Sequence, residues 1–238
     1  MITPPRFFLT SVALLISASV GSAVTSSADP EKDPQMANLL QEARGLIDNK
    51  KPAAAIEKCD MVITAFKARY GNSKQKITCG RTSAEVLGSL LQAAAEKNNA
   101  IGLSSTWADA YYMKAYALQD LGRLAAAKSN VQIALAMSPF NSQYRSELGE
   151  IYQLEKNWTK AKQEFAEAED NAKLAPEDSK KAELGRARRG LAYVFVELGK
   201  LDEAEKKYQQ CLAADPNDIR AKRELEYVRG LKAKKKSP

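Results

Sequence analysis

The sequence predicts an all-α fold, a solenoid of stacked helix hairpins, and three observations carry that expectation. The first is composition: Ala, Leu, Lys, Glu and Gln dominate, Gly and Pro number only 12 and 9, and β-branched runs are nearly absent. The second is a spacing that recurs. Shifting Gly149, Tyr152, Trp158, Ala161, Phe165 and Ala168 back by 34 positions brings them onto Ala115, Leu118, Leu124, Ala127, Val131 and Ala134. The third is the same pattern again, 43 positions forward, at Ala192, Phe195, Leu201, Ala204, Tyr208 and Cys211, which marks a nine-residue insertion between those two units. Small and large apolar residues alternate at helical spacing along two adjacent segments. Gly149 and Ala161 then sit where two helices cross, and Tyr152, Trp158 and Phe165 fill the space around the crossing. One such hairpin cannot bury both of its faces, so hairpins must stack.

Along the chain, residues 1–23, "MITPPRFFLTSVALLISASVGSA", have the pattern of a secretory signal peptide: one Arg, an apolar run from Phe7 to Val20, and small residues before Ala23. The run is interrupted by Thr10, Ser11, Ser17 and Ser19 and is short of the ~20 residues of a membrane span. Cleavage is expected after Ala23 or Ala28, with export to a bacterial periplasm as the simplest destination. Residues 24–34 read as a disordered lead-in. A first helix pair follows from Gln35 to Arg69, broken near "DNKKP", with Pro52 opening its second helix. "YGNSKQKITCGRTS" reads as a loop ending in a Thr82 or Ser83 cap. Leu87-Gly88-x-x-Leu91 restarts the pattern in a degenerate second hairpin whose short second helix falls at 98–107. The third unit spans Trp107 to Pro139 with Gly122 at its turn, and the fourth carries Gly149. "LAPEDSKKAEL" houses the insertion before a fifth unit from Leu184 to Pro216. Residues 217–232 form a capping helix and 233–238 a basic tail.

Leu148-Gly149-x-x-Tyr152 followed by Ala161-x-x-x-Phe165, at a period of 34 residues and closed by a proline, resembles the tetratricopeptide repeat signature. The resemblance implies a right-handed solenoid, here of about five units with one degenerate, spanning 35–216. It also implies a non-catalytic scaffold that holds a protein or peptide partner along the concave groove lined by the first helix of each unit. The matching positions are Asp109, Tyr112, Tyr116, Gln119 and Asp120 in the third unit, Gln143, Ser146, Glu150 and Gln153 in the fourth, and Arg186, Arg189, Tyr193 and Glu197 in the fifth. The family's carboxylate clamp for chaperone tails needs Lys and Asn at places where this chain lacks them. Tyrosines beside Arg186 and Arg189 suit a segment with apolar and acidic character; alternatively Tyr112 or Tyr116 packs between neighbouring first helices. An accessory subunit of an envelope enzyme and a self-associating solenoid are the other functional readings.

Chemistry is constrained by what is missing. With no His in 238 residues, the commonest general base, the usual nucleophilic triads and most zinc sites are excluded, and no phosphate-binding or dinucleotide loop is present. No catalytic residue, cofactor or metal site is therefore expected. Glu164, Glu167, Glu169 and Asp170 cluster on a lysine-interleaved amphipathic helix and read as its solvated face. The net charge of +7 is also local: residues 220–238 hold eight basic side chains against two acidic ones, whereas 24–219 is balanced. That argues against nucleic acid, which needs a basic face across the fold, and leaves a solubilising cap or a weak contact with an anionic surface. Of three cysteines, Cys211 takes a small core position, while Cys59 and Cys79 flank a loop long enough to fold back. A Cys59–Cys79 disulfide is expected in an oxidising compartment, unless Cys59 is simply core.

Overall fold

The computed structural model describes residues 29–236. The expected signal peptide, the first part of the lead-in and the last two residues of the tail lie outside the described residues. Four helix hairpins make up most of the chain: α1 (Pro34–Asp48) with α2 (Pro52–Tyr70), α4 (Thr106–Asp120) with α5 (Leu124–Met137), α6 (Ser142–Leu154) with α7 (Trp158–Asn171), and α8 (Glu177–Glu197) with α9 (Leu201–Ala214). A last helix, α10 (Ile219–Lys236), packs on α9.

Each hairpin turns in the same way. The N–H groups of Lys51, Arg123, Asn157 and Lys200 reach back five residues to the carbonyls of Leu46, Leu118, Tyr152 and Phe195. The residue before each of these donors has positive φ: Lys50, Gly122, Lys156 and Gly199. This is the Schellman closure, which satisfies the last carbonyls of the first helix. Helix starts are capped by side chains: Asp33 accepts from Gln35 N, Asn157 from Lys160 N, and Asn141 from both Gln143 N and Tyr144 N.

The hairpins interlock through the spacing read above. Gly149 and Ala161 let α6 and α7 approach, and Phe165 fills the gap with its ring against Gly149 on one side and Gly190 of α8 on the other. Ala115, Leu118, Ala127 and Val131 continue this core into the preceding hairpin. Tyr208, Ala221, Leu225 and Val228 close the far end under α10.

The second unit differs from expectation. No helix hairpin forms there; instead β1 (Lys76–Gly80), α3 (Ser83–Ala95) and β2 (Ala100–Ser104) form a strand–helix–strand excursion. The strands pair in parallel from Lys76↔Ala100 to Gly80↔Ser104. The physical reason is a change of period. Ile77, Cys79, Ile101 and Leu103 alternate with Thr78, Gly80, Ala100 and Gly102, so each five-residue segment has one apolar side. That side joins a core with Phe66, Trp107 and Tyr111, in which the Trp107 ring stacks on Phe66 at 5.5 Å. Glycines 80 and 102 lie under Val86, so α3 rests on the opposite face of the strands. Across this excursion α2 packs directly on α4, and the helical stack continues as though it were absent.

The excursion is clasped to a hairpin far along the chain. Arg81 donates to Glu85 Oε1 at 2.6 Å and to Glu183 Oε1 at 2.5 Å, and Ser142 also bonds Glu183. Thr82 Oγ1 donates to the Leu174 carbonyl at 3.2 Å. Glu183 belongs to the nine-residue insertion, which adds its length to the start of α8 as helix.

Three further expectations are corrected. Residues 29–33 are a folded turn rather than disordered, held by Tyr70 OH donating to Asp29 Oδ1 at 2.7 Å. The capping helix and basic tail are not separate, because α10 runs on to Lys236. The Cys59–Cys79 disulfide is not formed, and all three cysteines are buried free thiols. Cys59 packs against Met113 and Ala117, whereas Cys79 lies at the start of α4 beside Ala108. Five to nine helical residues separate those places, on the order of 8–13 Å of rise, beyond the reach of a disulfide.

Candidate functional site

The first helices of the hairpins line one face, and a cavity of about 660 Å³ lies along it. Tyr116 of α4, Glu150 and Gln153 of α6, and Arg186, Arg189 and Tyr193 of α8 all line it, so six of the eight expected groove residues come together. Tyr116 and Tyr193 are each a little over two-fifths exposed. Tyr208 forms part of the lining, and Arg220, Arg223 and Glu224 of α10 close the far end.

Electrostatics separate the arginines into two kinds. Arg186 is committed: it donates to Glu147 Oε2 at 2.7 Å and to both oxygens of Glu150 at 2.8 Å, tying α8 to α6. Burial works against its charge, but the hydrogen bonds it donates to Glu150 and the charges around it outweigh burial and raise its pKa. Arg189 is held by Asp218 at the start of α10. Arg220 and Arg223 are exposed and have no ion pair among the described residues. They supply the uncommitted positive charge of the groove. Gln153 Nε2 donates to the Gly190 carbonyl at 3.1 Å, which fixes the groove floor between α6 and α8.

The other two expected residues do not line this cavity. Tyr112 is half-buried and stacks on Tyr144 at 4.9 Å, so it packs between α4 and α6, and burial raises its pKa. Gln119 donates to Glu147 Oε1 at 2.5 Å and positions that buried carboxylate. Two neighbours offered as groove positions are likewise structural: Ser146 is buried, and Asp109 accepts from Tyr144 OH at 2.5 Å and Ser105 Oγ at 2.6 Å. Burial raises the Asp109 pKa. Sequence reasoning missed Arg220 and Arg223 because the basic C-terminus read as one solubilising block. Their spacing of three, with Tyr227 four residues beyond, puts them on one face of α10 and was the available signal.

Two tetratricopeptide repeat models match the sequence, one over residues 108–141 and one over 141–217. Residues 108–217 of the chain carry tetratricopeptide repeats. Among solved structures, it is similar to PilF of Pseudomonas aeruginosa, with a TM-score of 0.60 at 15% identity, over 85% of this chain and 71% of that one. It is also similar to a MamA RS-1 double mutant, with a TM-score of 0.53 at 14% identity, over 87% of each chain. Both likenesses concern the fold. No curated protein matches the sequence. The tetratricopeptide repeat fold is that of a protein-interaction scaffold, and among the described residues no helix is long and apolar enough to cross a membrane.

Proposed function

We propose that this tetratricopeptide repeat protein is a non-catalytic scaffold of the cell envelope, exported to the periplasm, which holds an acidic, partly apolar segment of a partner in the groove between α4, α6, α8 and α10. The observation that carries the reading is the groove lining itself: tyrosine rings at 116 and 193, with Arg220 and Arg223 uncommitted at one end. Aromatic faces take apolar side chains at low entropic cost, and free guanidinium groups take carboxylates. Absence of His supports the non-catalytic part, and the apolar N-terminal run supports export.

The test is a pull-down from crosslinked envelope extract with the wild-type chain beside a Tyr116→Ala, Tyr193→Ala, Arg223→Ala variant. All three side chains line the open groove, so the variant should fold. One protein enriched by the wild type and lost with the variant supports the reading. The same proteins recovered by both would move the partner site off this groove.

A further inference from the structure

The strand–helix–strand excursion presents an open strand edge, and none of its residues lines the groove just described. The N–H of Lys76 bonds the Asn99 carbonyl at 2.8 Å, and with the parallel register this fixes which groups point where. Ile101 and Leu103 turn their backbone groups toward β1. Ala100, Gly102 and Ser104 turn theirs outward. The inner strand is closed on its other edge, where Ser138 Oγ donates to the Cys79 carbonyl at 2.7 Å. The outer edge of β2 is open.

One outward donor on this edge already has an acceptor from within the chain. Ser104 N donates to Glu31 Oε1 at 2.6 Å, and Ser104 Oγ to Glu31 Oε2 at 3.1 Å. The N–H and C=O groups of Ala100 and Gly102 have no partner among the described residues, and Gly102 is exposed. An unpaired strand edge of this kind is what proteins usually cover, charge or twist away.

The edge is also one wall of a groove. A cavity of about 390 Å³ runs between β2 and α3, lined by Gly102 and Ser104 on one side and by Val86, Leu87 and Leu90 on the other. Leu87 and, one turn on, Leu91 are 57% and 62% exposed, unusual for leucines on a packed helix. Gly102 keeps the groove floor low, since a Cβ there would meet Val86 Cγ1 at 2.7 Å.

We propose that an extended segment of a partner polypeptide docks in this groove as a third strand, pairing its main chain with Ala100 and Gly102 and resting apolar side chains on Leu87 and Leu90. The occupant follows from complementarity. The open edge presents donors and acceptors on alternate residues, roughly 6.6 Å apart, and an extended backbone presents the matching set at that repeat. A helix has no free backbone groups to offer. Side chains alternate along such a strand, so one set reaches the leucines while the other faces away.

The test selects a displayed library of random eight-residue peptides on the purified chain, then measures the selected peptides by fluorescence anisotropy. Ala100→Pro removes one outward N–H at the first position of β2 without touching the bonds to β1. Leu87→Ser removes part of the opposite wall from an exposed site, and stands in should the proline variant unfold early in a thermal melt. The expected result is peptides with apolar residues at alternate positions, weakened about tenfold or more by either variant. N-methylating alternate peptide amides should weaken binding in one register and leave it intact in the other. In the wild type, the Gly102 amide should become protected from hydrogen exchange on peptide addition. Three results overturn the proposal: no selected peptide responds to either variant, the selected peptides respond only to Arg223→Ala in the other groove, or Ala100→Pro abolishes a concentration-dependent dimer, which would make a second copy the occupant.

Discussion

Replacing Gly190 by Ala should destabilise the chain even though the residue lies inside a helix. A Cβ at 190 would lie 2.3 Å from Phe165 Cε1 and 2.5 Å from Cδ1 and Cζ, so the ring must retreat by about 1 Å to restore ordinary contact at 3.4 Å. It cannot simply retreat toward α6, because on that side a Cβ at Gly149 would already lie 2.9–3.0 Å from the same ring. Overpacking of this kind costs about 1–3 kcal/mol, and a ring held from both sides belongs at the upper end. Removing a helical glycine returns ~1 kcal/mol, which leaves a net loss of about 2 kcal/mol. Urea unfolding followed by far-UV circular dichroism measures it. Adding Phe165→Leu should recover part of the loss, because the smaller side chain gives the new methyl room, whereas Phe165→Leu alone in the wild type should only destabilise. A Gly190→Ala protein that is more stable than wild type would show that helix propensity outweighs the clash and would refute the packing argument.

Arg81→Met strips two buried carboxylates of their partner and should cost roughly 3–5 kcal/mol. Burial opposes the Glu183 charge, but Arg81 and Ser142 outweigh it and hold its pKa below the ordinary value. The stability Glu183 contributes is therefore present above the unfolded carboxyl pKa of about 4.3 and is lost as pH falls through the lower folded value. Arg81→Met should flatten that acid limb of the stability curve. Burial pushes the Cys59 and Cys79 thiols up to about 12 and Cys211 up to about 11. Ellman's reagent at pH 8 without reductant should thus find almost no reactive thiol in the folded protein and three on denaturation; one would mean a disulfide. Lys50→Gly and Lys156→Gly, at positive φ in two hairpin turns, should each stabilise by about 0.5–1 kcal/mol in urea unfolding.

Gly149, Phe165 and their counterparts announced the hairpins because a helix crossing needs a small residue facing a large one, and sequence spacing preserves that pairing. The hairpin turns were half legible: Gly122 marks one openly, whereas Lys50 and Lys156 adopt the same left-handed backbone without the residue that usually signals it. The second unit was misread since Leu87-Gly88-x-x-Leu91 imitates the repeat, while the two strands are only five residues long and their pairing is non-local. In the groove, Tyr116 and Tyr193 were visible from register alone. Tyr112 and Arg186 were not separable from them, because whether a groove side chain is free depends on partners such as Tyr144 and Glu147 on another helix. The contribution of α10 required knowing that the last helix packs on α9 so that Arg220 and Arg223 reach the cavity lined by α8.

The clasp between Arg81 and Glu183 bears on how the chain is assembled as it leaves the ribosome. Stacked hairpins touch mainly their neighbours in sequence, so each can settle soon after it is made. Here a residue early in the chain waits for a partner 102 positions later. Until α8 emerges, the guanidinium of Arg81 has only Glu85, and the strand–helix–strand excursion is held to the body by its core contacts with Phe66, Trp107 and Tyr111 and by the Ser138–Cys79 bond. Completion of the fourth hairpin then secures both at once, so that unfolding should run as one concerted event over residues 76–197 rather than fraying unit by unit from either end.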